Sequence, residues 1–242
     1  MLDWDVYRLA IEAFLHGGNP YQVGEGFMRF YNPPWTLFIM APFTLAGPYA
    51  MLVLAVVSTA ALAIVGRRFG IKPLGILLLV TSAFNYQTIM AGNAEAIAWL
   101  GLFLPPGLGI FFFLIKPQST IGMVAFLVYR RWQDAGVVGV IRLLAIPVLL
   151  TLAAVAVWGL PPMVPCPCNH SLFPYSLLLG IPVLLAAMRW QRPRWAAFSG
   201  PFLTPYLAYH GYLPVLFAFQ GISLLVVWAL TWIPIIVHGV TF

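Results

Sequence analysis

"PYAMLVLAVVSTAALAIVGRR" (48–68) carries no charge until Arg67 and Arg68 close it. A helix rises about 1.5 Å per residue, so a run of roughly 20 residues covers the ~30 Å of bilayer hydrocarbon. Apolar side chains fall on every face of such a helix and leave no side for water. Paired arginines at one end are the usual mark of a cytoplasmic terminus. The stretch therefore predicts a membrane-spanning helix whose last turn is cytoplasmic.

The rest of the chain repeats this pattern. Of its 242 residues 62% are hydrophobic and only 7% charged, with a mean hydropathy of +0.94, too little polar surface for a soluble globule. The predicted fold class is all-α: a polytopic helical membrane protein with broken or half-length helices. Residues 1–34 read as an extracytoplasmic loop with an interfacial helix, and 35–242 as the transmembrane domain. "MLDWDVYRLAIEAF" (1–14) has no basic leader, so no cleavable signal is expected. Val6, Leu9, Ala10, Ala13 and Phe14 follow helical spacing, as in a helix on the membrane surface.

The net charge of +6 is a topology signal. Arg67, Arg68 and Lys72 form one cluster, Arg130, Arg131 and Arg142 a second, and Arg189, Arg192 and Arg194 a third, all expected to be cytoplasmic in a plasma (inner) membrane. No basic stripe with interleaved aromatics remains for nucleic acid. Between the clusters, 35–46 reads as a short helix, 74–91 as a return outward, and 95–104 and 107–115 as half-length pieces turned by "PPG" (105–107). Runs at 120–129, 141–158, 172–188, 196–209 and 214–237 then alternate in direction, with an extracytoplasmic N-terminus and a cytoplasmic C-terminus.

That topology gathers the acids on the outer face, with Asp3, Asp5, Glu12, Glu25 and Glu95 there or at its edge and only Asp134 elsewhere. Intramembrane or membrane-edge charges are costly and mark function. Arg29, Asn93, His16, His170 and His210 share this face, and Lys116 lies in or near it. Glu95, one turn into a membrane helix, must be paired or protonated if buried, and Lys116 is a candidate partner. Cys166 and Cys168, spaced C-P-C in "PPMVPCPCNHS" (161–171), are compatible with free thiols, a strained or intermolecular disulfide, or an incomplete metal set. No metal site is predicted.

"DWDVYRLAIEAFLHGGNPY" (3–21) followed by "FYNPPWTLFIMAPF" (30–43) resembles the catalytic loop of bacterial GT-C glycosyltransferases, the polyprenyl-phosphate-sugar-dependent enzymes related to α-mannosyltransferases. Asp3, Tyr7, Gly18, Asn19, Pro20, Tyr21, Tyr31, Pro33 and Pro34 stand at the places of that pattern. "AGNAEAIAWL" (91–100), "LIKPQS" (114–119) and "PFLTPYLAYHGYLPVL" (201–216) resemble later blocks, with His210-Gly211 where the family has Asp.

The resemblance implies an inverting sugar transfer to an extracytoplasmic acceptor, with a lipid-linked polyprenyl-phosphate sugar as donor and no other cofactor. It assigns Asp3, then Asp5, as general base. Lys116, Arg29 and His210 are candidates for the lipid phosphate, and Tyr7, Asn19, Tyr21, Tyr31 and Asn93 for the substrate. Partners are then membrane lipids and the donor. The family has a transmembrane helix before the aspartate, where this sequence has Met1 and Leu2, so a membrane protein supplying that helix is a further expected partner. Asp3 alternatively serves only as a helix N-cap, Asp5 as a first-turn acid, and the chain as a non-catalytic, GT-C-derived subunit of a larger complex.

Overall fold

Proline and glycine mark many of the helix ends in the computed structural model, which describes residues 2–26, 28–162 and 167–238. The expectations for Met1 and Cys166 lie outside these residues. Helix α1 (Asp3–Leu15) is followed by a single 3₁₀ turn, Pro20–Gln22, and by two-residue strands, Gly24–Glu25 and Met28–Arg29, paired antiparallel. Then come α2 (Trp35–Thr44), α3 (Ala50–Arg68), α4 (Pro73–Val80), α5 (Ala83–Ala91), α6 (Glu95–Ala98) and α7 (Pro106–Phe113). The helical stretch α8 (Pro117–Trp158), α9 (Leu177–Arg189), α10 (Pro193–Ser199) and α11 (Ile222–His238) complete the order.

Among the described residues two stretches are long and apolar enough to cross a membrane, Gly47–Arg68 and Pro117–Trp158. A third results if α4 and α5, bent by 48°, form one span. The half-length reading of 95–115 is matched by α6, a 3₁₀ continuation Trp99–Phe103, and α7.

Three later runs differ from expectation. The run predicted at 172–188 becomes helical only from Leu177, beyond Pro174. The run at 196–209 ends as α-helix at Ser199, because Pro201 and Pro205 lack the N–H a helix needs there. The run at 214–237 is divided: Tyr209–Ala218 is a 3₁₀ helix containing Pro214, and α11 begins only after Gly221.

Helix α8 reverses within itself. Gly136 has φ 57° and ψ −155°, a conformation essentially closed to residues with a side chain. A straight helix of 42 residues would measure about 63 Å. Yet the Lys116 ammonium beside its start lies over the Tyr7 ring, and Trp158 at its end packs on Phe14. Tyr7 and Phe14 are only about 10 Å apart along α1, so the arms 117–135 and 137–158 form an antiparallel hairpin. A Cβ on Gly139 would accordingly meet the Arg131 carbonyl at 3.2 Å.

The hairpin sorts the charges by end. Its tip, with Arg130, Arg131 and Arg142, points away from α1. Helix α3 starts beside Trp4, since a Cβ on Gly92 would meet both Trp4 and Met51, and it ends in Arg67 and Arg68. Gly200 backs onto Ser119 and Ala196 onto Gly122, so the turn bearing Arg192 and Arg194 follows the first arm toward the same tip.

Two apolar cores hold these pieces. In one, Trp99 meets Phe217 at 5.2 Å and Phe113 at 5.6 Å, fixing the half-length pieces to the 3₁₀ helix. In the other, α1 buries Trp4, Val6, Tyr7, Ala10 and Ile11 against α2, Phe30 and Ala94–Ala98. The buried stripe is thus rotated from the expected one, with Leu9, Ala13 and Phe14 only partly covered. Helix α1 packs on protein because its three large inward residues, Trp4, Tyr7 and Ile11, recur at helical spacing.

Nitroxide labels on Ile121→Cys and Leu152→Cys, with the native cysteines replaced by serine, should lie within about 20 Å of one another in the hairpin. A straight helix would hold them roughly 45 Å apart, a difference that pulsed electron resonance resolves.

Candidate functional site

Asp3 opens α1, and its carboxylate accepts a hydrogen bond from the Asn93 side-chain amide. Asn93 is delivered by the end of α5: Gly92 takes the left-handed conformation (φ 67°) and the chain turns sharply into α6. Asn93 is itself locked, its side-chain oxygen accepting from the Glu95 backbone N–H at 3.0 Å. No hydrogen bond to the second Asp3 carboxylate oxygen is made among the described residues.

The N-cap alternative for Asp3 does not hold. Leu2 is the N-cap and Asp3 the first helical residue. Asp5 accepts from the Leu2 N–H at 2.8 Å, the reach-back half of a capping box. Asp5 is therefore the capping carboxylate.

Lys116 precedes α8 and is buried, with 3% of its surface exposed. Its Nζ stands 5.8 Å from the centre of the Tyr7 ring, a cation–π contact worth about 0.5–2 kcal/mol. Burying an ammonium costs several kcal/mol, so the ring alone does not offset it. Asp3 supplies opposite charge within electrostatic reach. The Tyr7 hydroxyl accepts from Asn32 Nδ2 at 2.7 Å, and burial pushes it above the usual phenol range. It stays protonated at physiological pH.

These groups surround one small cleft, about 300 Å³ counting the space open to solvent, lined by Asp3, Tyr7, Arg29, Tyr31, Asn32 and Lys116 among others. Arg29 is exposed at its rim. Tyr31 reaches across to Tyr206, hydroxyl to hydroxyl at 3.4 Å. Tyr206 also lies 3.4 Å from the Cys168 sulfur. The polar segment 169–171 is tied to 204–207 through Asn169 and Ser171, with Leu207 N–H donating to Asn169 at 3.0 Å and Ser171 Oγ to the Thr204 carbonyl at 2.6 Å. His210, at the start of the 3₁₀ helix Tyr209–Ala218, lies in electrostatic reach of Asp3, Lys116 and His170.

Eight residues singled out from the sequence thus meet, directly or through Lys116: Asp3, Tyr7, Arg29, Tyr31, Asn93, Glu95, Lys116 and His210. Two do not. Asn19 caps the 3₁₀ turn by accepting from Tyr21 N–H at 2.9 Å and donates to the Trp158 carbonyl at 2.9 Å. Tyr21 is buried and stacked on Phe30 at 5.8 Å. Both shape the loop from behind. Asn32 and Tyr206 were missed, because their roles depend on partners 25 and 175 residues away. Asn32 stood within "YNPPW", read for its turn chemistry alone.

Among the described residues no group of three His, Cys, Asp or Glu is disposed to hold a metal ion. No protein-family model matches the chain, and neither does any curated protein or solved structure compared with it.

Burial holds the His210 imidazole down at about 4, with the Lys116 and His170 charges acting in the same direction and Asp3 opposing. Its ordinary value is 6.5, so between these limits the unfolded chain binds a proton that the folded chain does not. Stability from this group is complete above about pH 6.5 and is lost as pH falls toward 4. Thermal unfolding of the purified protein should shift to lower temperature across that window, and His210→Asn should flatten the dependence there.

Proposed function

We propose that the chain is a multi-pass membrane glycosyltransferase of the GT-C type, inverting the anomeric centre of a sugar carried on polyprenyl phosphate. The observation that carries this reading is the meeting of Asp3, Asn93, Tyr7, Lys116 and His210, from four separate segments, at the end of the helices opposite all three arginine clusters. Membrane residence is supported by the apolar outer surface of the helices, where Leu149, Leu152, Leu178, Leu185 and Ile236 are exposed and water would be unfavourable. With the arginine ends cytoplasmic, the cleft faces outward, and α11, which runs from beside Gly70 to beside Tyr86, also ends on the outward side, the reverse of the inward direction expected for 214–237.

In this reading an acceptor hydroxyl enters beside the free oxygen of Asp3. Its oxygen bonds to the anomeric carbon from the face opposite the phosphate, and its proton passes to Asp3. The bond from the anomeric carbon to the phosphate oxygen breaks, and the electron pair leaves with polyprenyl phosphate. Asn93 fixes the base, a contribution of orientation. Lys116 supplies a fixed positive charge to the departing phosphate, and neutral His210 a hydrogen bond. Arg29 stands at the rim for the incoming anionic donor.

The test is transfer from a panel of radiolabelled polyprenyl-phosphate sugars in membranes holding the chain. Asp3→Asn should reduce turnover by about 10²–10⁴-fold with little change in the amount of folded protein. Asn93→Ala, which frees the base without removing it, should cost roughly 10- to 100-fold. Failure of every donor to react, together with stoichiometric membrane partners on purification, would favour the structural-subunit reading.

A further inference from the structure

Beneath Lys116 lies a group the transfer chemistry does not use. Glu95 is wholly buried, and among the described residues neither of its carboxylate oxygens has a hydrogen-bond partner. The indole N–H of Trp99, one turn further along, is also without a partner. No cation lies within ion-pair distance: the one ion pair among the described residues is Arg8 with Glu12 on the exposed side of α1.

The only charged group acting on Glu95 is Lys116, whose Nζ is turned to the Tyr7 ring and the cleft. Ser119 and Trp99 are the neighbouring donors that act on it, but Ser119 Oγ donates to the Lys116 carbonyl at 3.1 Å and the Trp99 N–H makes no hydrogen bond among the described residues. Asp3, Tyr7 and His210 act on Lys116 or on one another and reach Glu95 only through it.

An ionised carboxylate in such a place, without a hydrogen bond or an ion pair, is disfavoured against the neutral acid. We infer that Glu95 is held as a neutral carboxylic acid beneath Lys116, so that anion binding at Lys116 is coupled to a proton on Glu95. The neutral acid leaves the Lys116 charge fully available to a phosphate. Ionised, the same group would compete for the ammonium and repel the incoming anion. Coupling is reciprocal, so a phosphate on Lys116 keeps the proton on Glu95. Glu95 touches no reacting atom in this scheme and is a positioning residue. The coupling half rests on the phosphate-site reading given above, and the neutral acid does not.

The experiment separates the two. Infrared spectra of the intact chain in nanodiscs, without ligand at neutral pH, should contain the carbonyl band of a buried protonated carboxyl that is lost in Glu95→Gln. Absence of that band from the wild-type protein overturns the inference. Binding of dihexadecyl phosphate is then followed from about pH 5 to about pH 9, where this phosphodiester keeps a single charge. Affinity should fall about tenfold as pH rises in the wild-type protein and stay nearly level in Glu95→Gln. An equal fall in both proteins overturns the coupling. If the band is present and no phosphodiester binds at any pH, the neutral acid stands and the phosphate-site reading is what fails. Lys116→Met, which removes the anion's partner while keeping an apolar stem, should abolish binding and retain the band.

Discussion

A lysine ammonium with almost no access to water organises this protein. Lys116 sits where α7 ends and α8 begins, and an unshielded charge there would cost more than most single contacts return. Everything that makes the position tolerable comes from elsewhere in the chain: the Tyr7 ring from α1, the Asp3 carboxylate from the start of that helix, and the small cleft onto which the ammonium opens. Asn32 and Asn93 hold those two partners in turn. The charge is thus surrounded by oriented groups rather than neutralised by a single ion pair. Such a site remains able to bind an anion, because its positive charge is stabilised without being consumed.

Bringing these groups together depends on the reversal at Gly136. Were α8 straight, Trp158 would lie far beyond α1, and the bonds joining it to Phe14 and Asn19 could not form. The reversal also sends three arginines to the end opposite Asp3. One backbone conformation therefore sets both the closure of the loop around Lys116 and the separation of acidic from basic ends. Gly92 has a smaller but similar part: its left-handed backbone puts Asn93 against Asp3, and the contact with Trp4 and Met51 leaves no room for a side chain.

Much of the helical architecture was legible because a helix apolar enough to cross a membrane demands a long apolar run, and prolines interrupt such runs at readable places. The 48–68 span, the half-length pieces around "PPG" and the basic clusters all follow from that demand. The later runs were harder. Pro201, Pro205 and Pro214 sit in sequence as hydrophobic as any helix, so hydropathy alone counted 196–209 and 214–237 as continuous. At the site, Asp3, Lys116 and Asn93 stood out as polar residues in costly surroundings. Asp5 ranked behind Asp3, and its capping bond from Leu2 N–H became visible only in the structure. Asn19 and Tyr21 belong to a motif whose side chains point into structure.

By itself, then, the sequence determined the helical class, the apolar exterior and the division of charge along the chain, since these depend on composition and local periodicity. Tertiary structure alone decided which polar residues share a cleft, that Asn32 and Tyr206 belong beside it, and that Glu95 lies buried without a partner. The reason is physical: hydrophobic patterning acts over one or two helical turns, whereas a hydrogen bond between residues 3 and 93, or a ring beneath an ammonium 109 positions away, exists only once separate segments have packed.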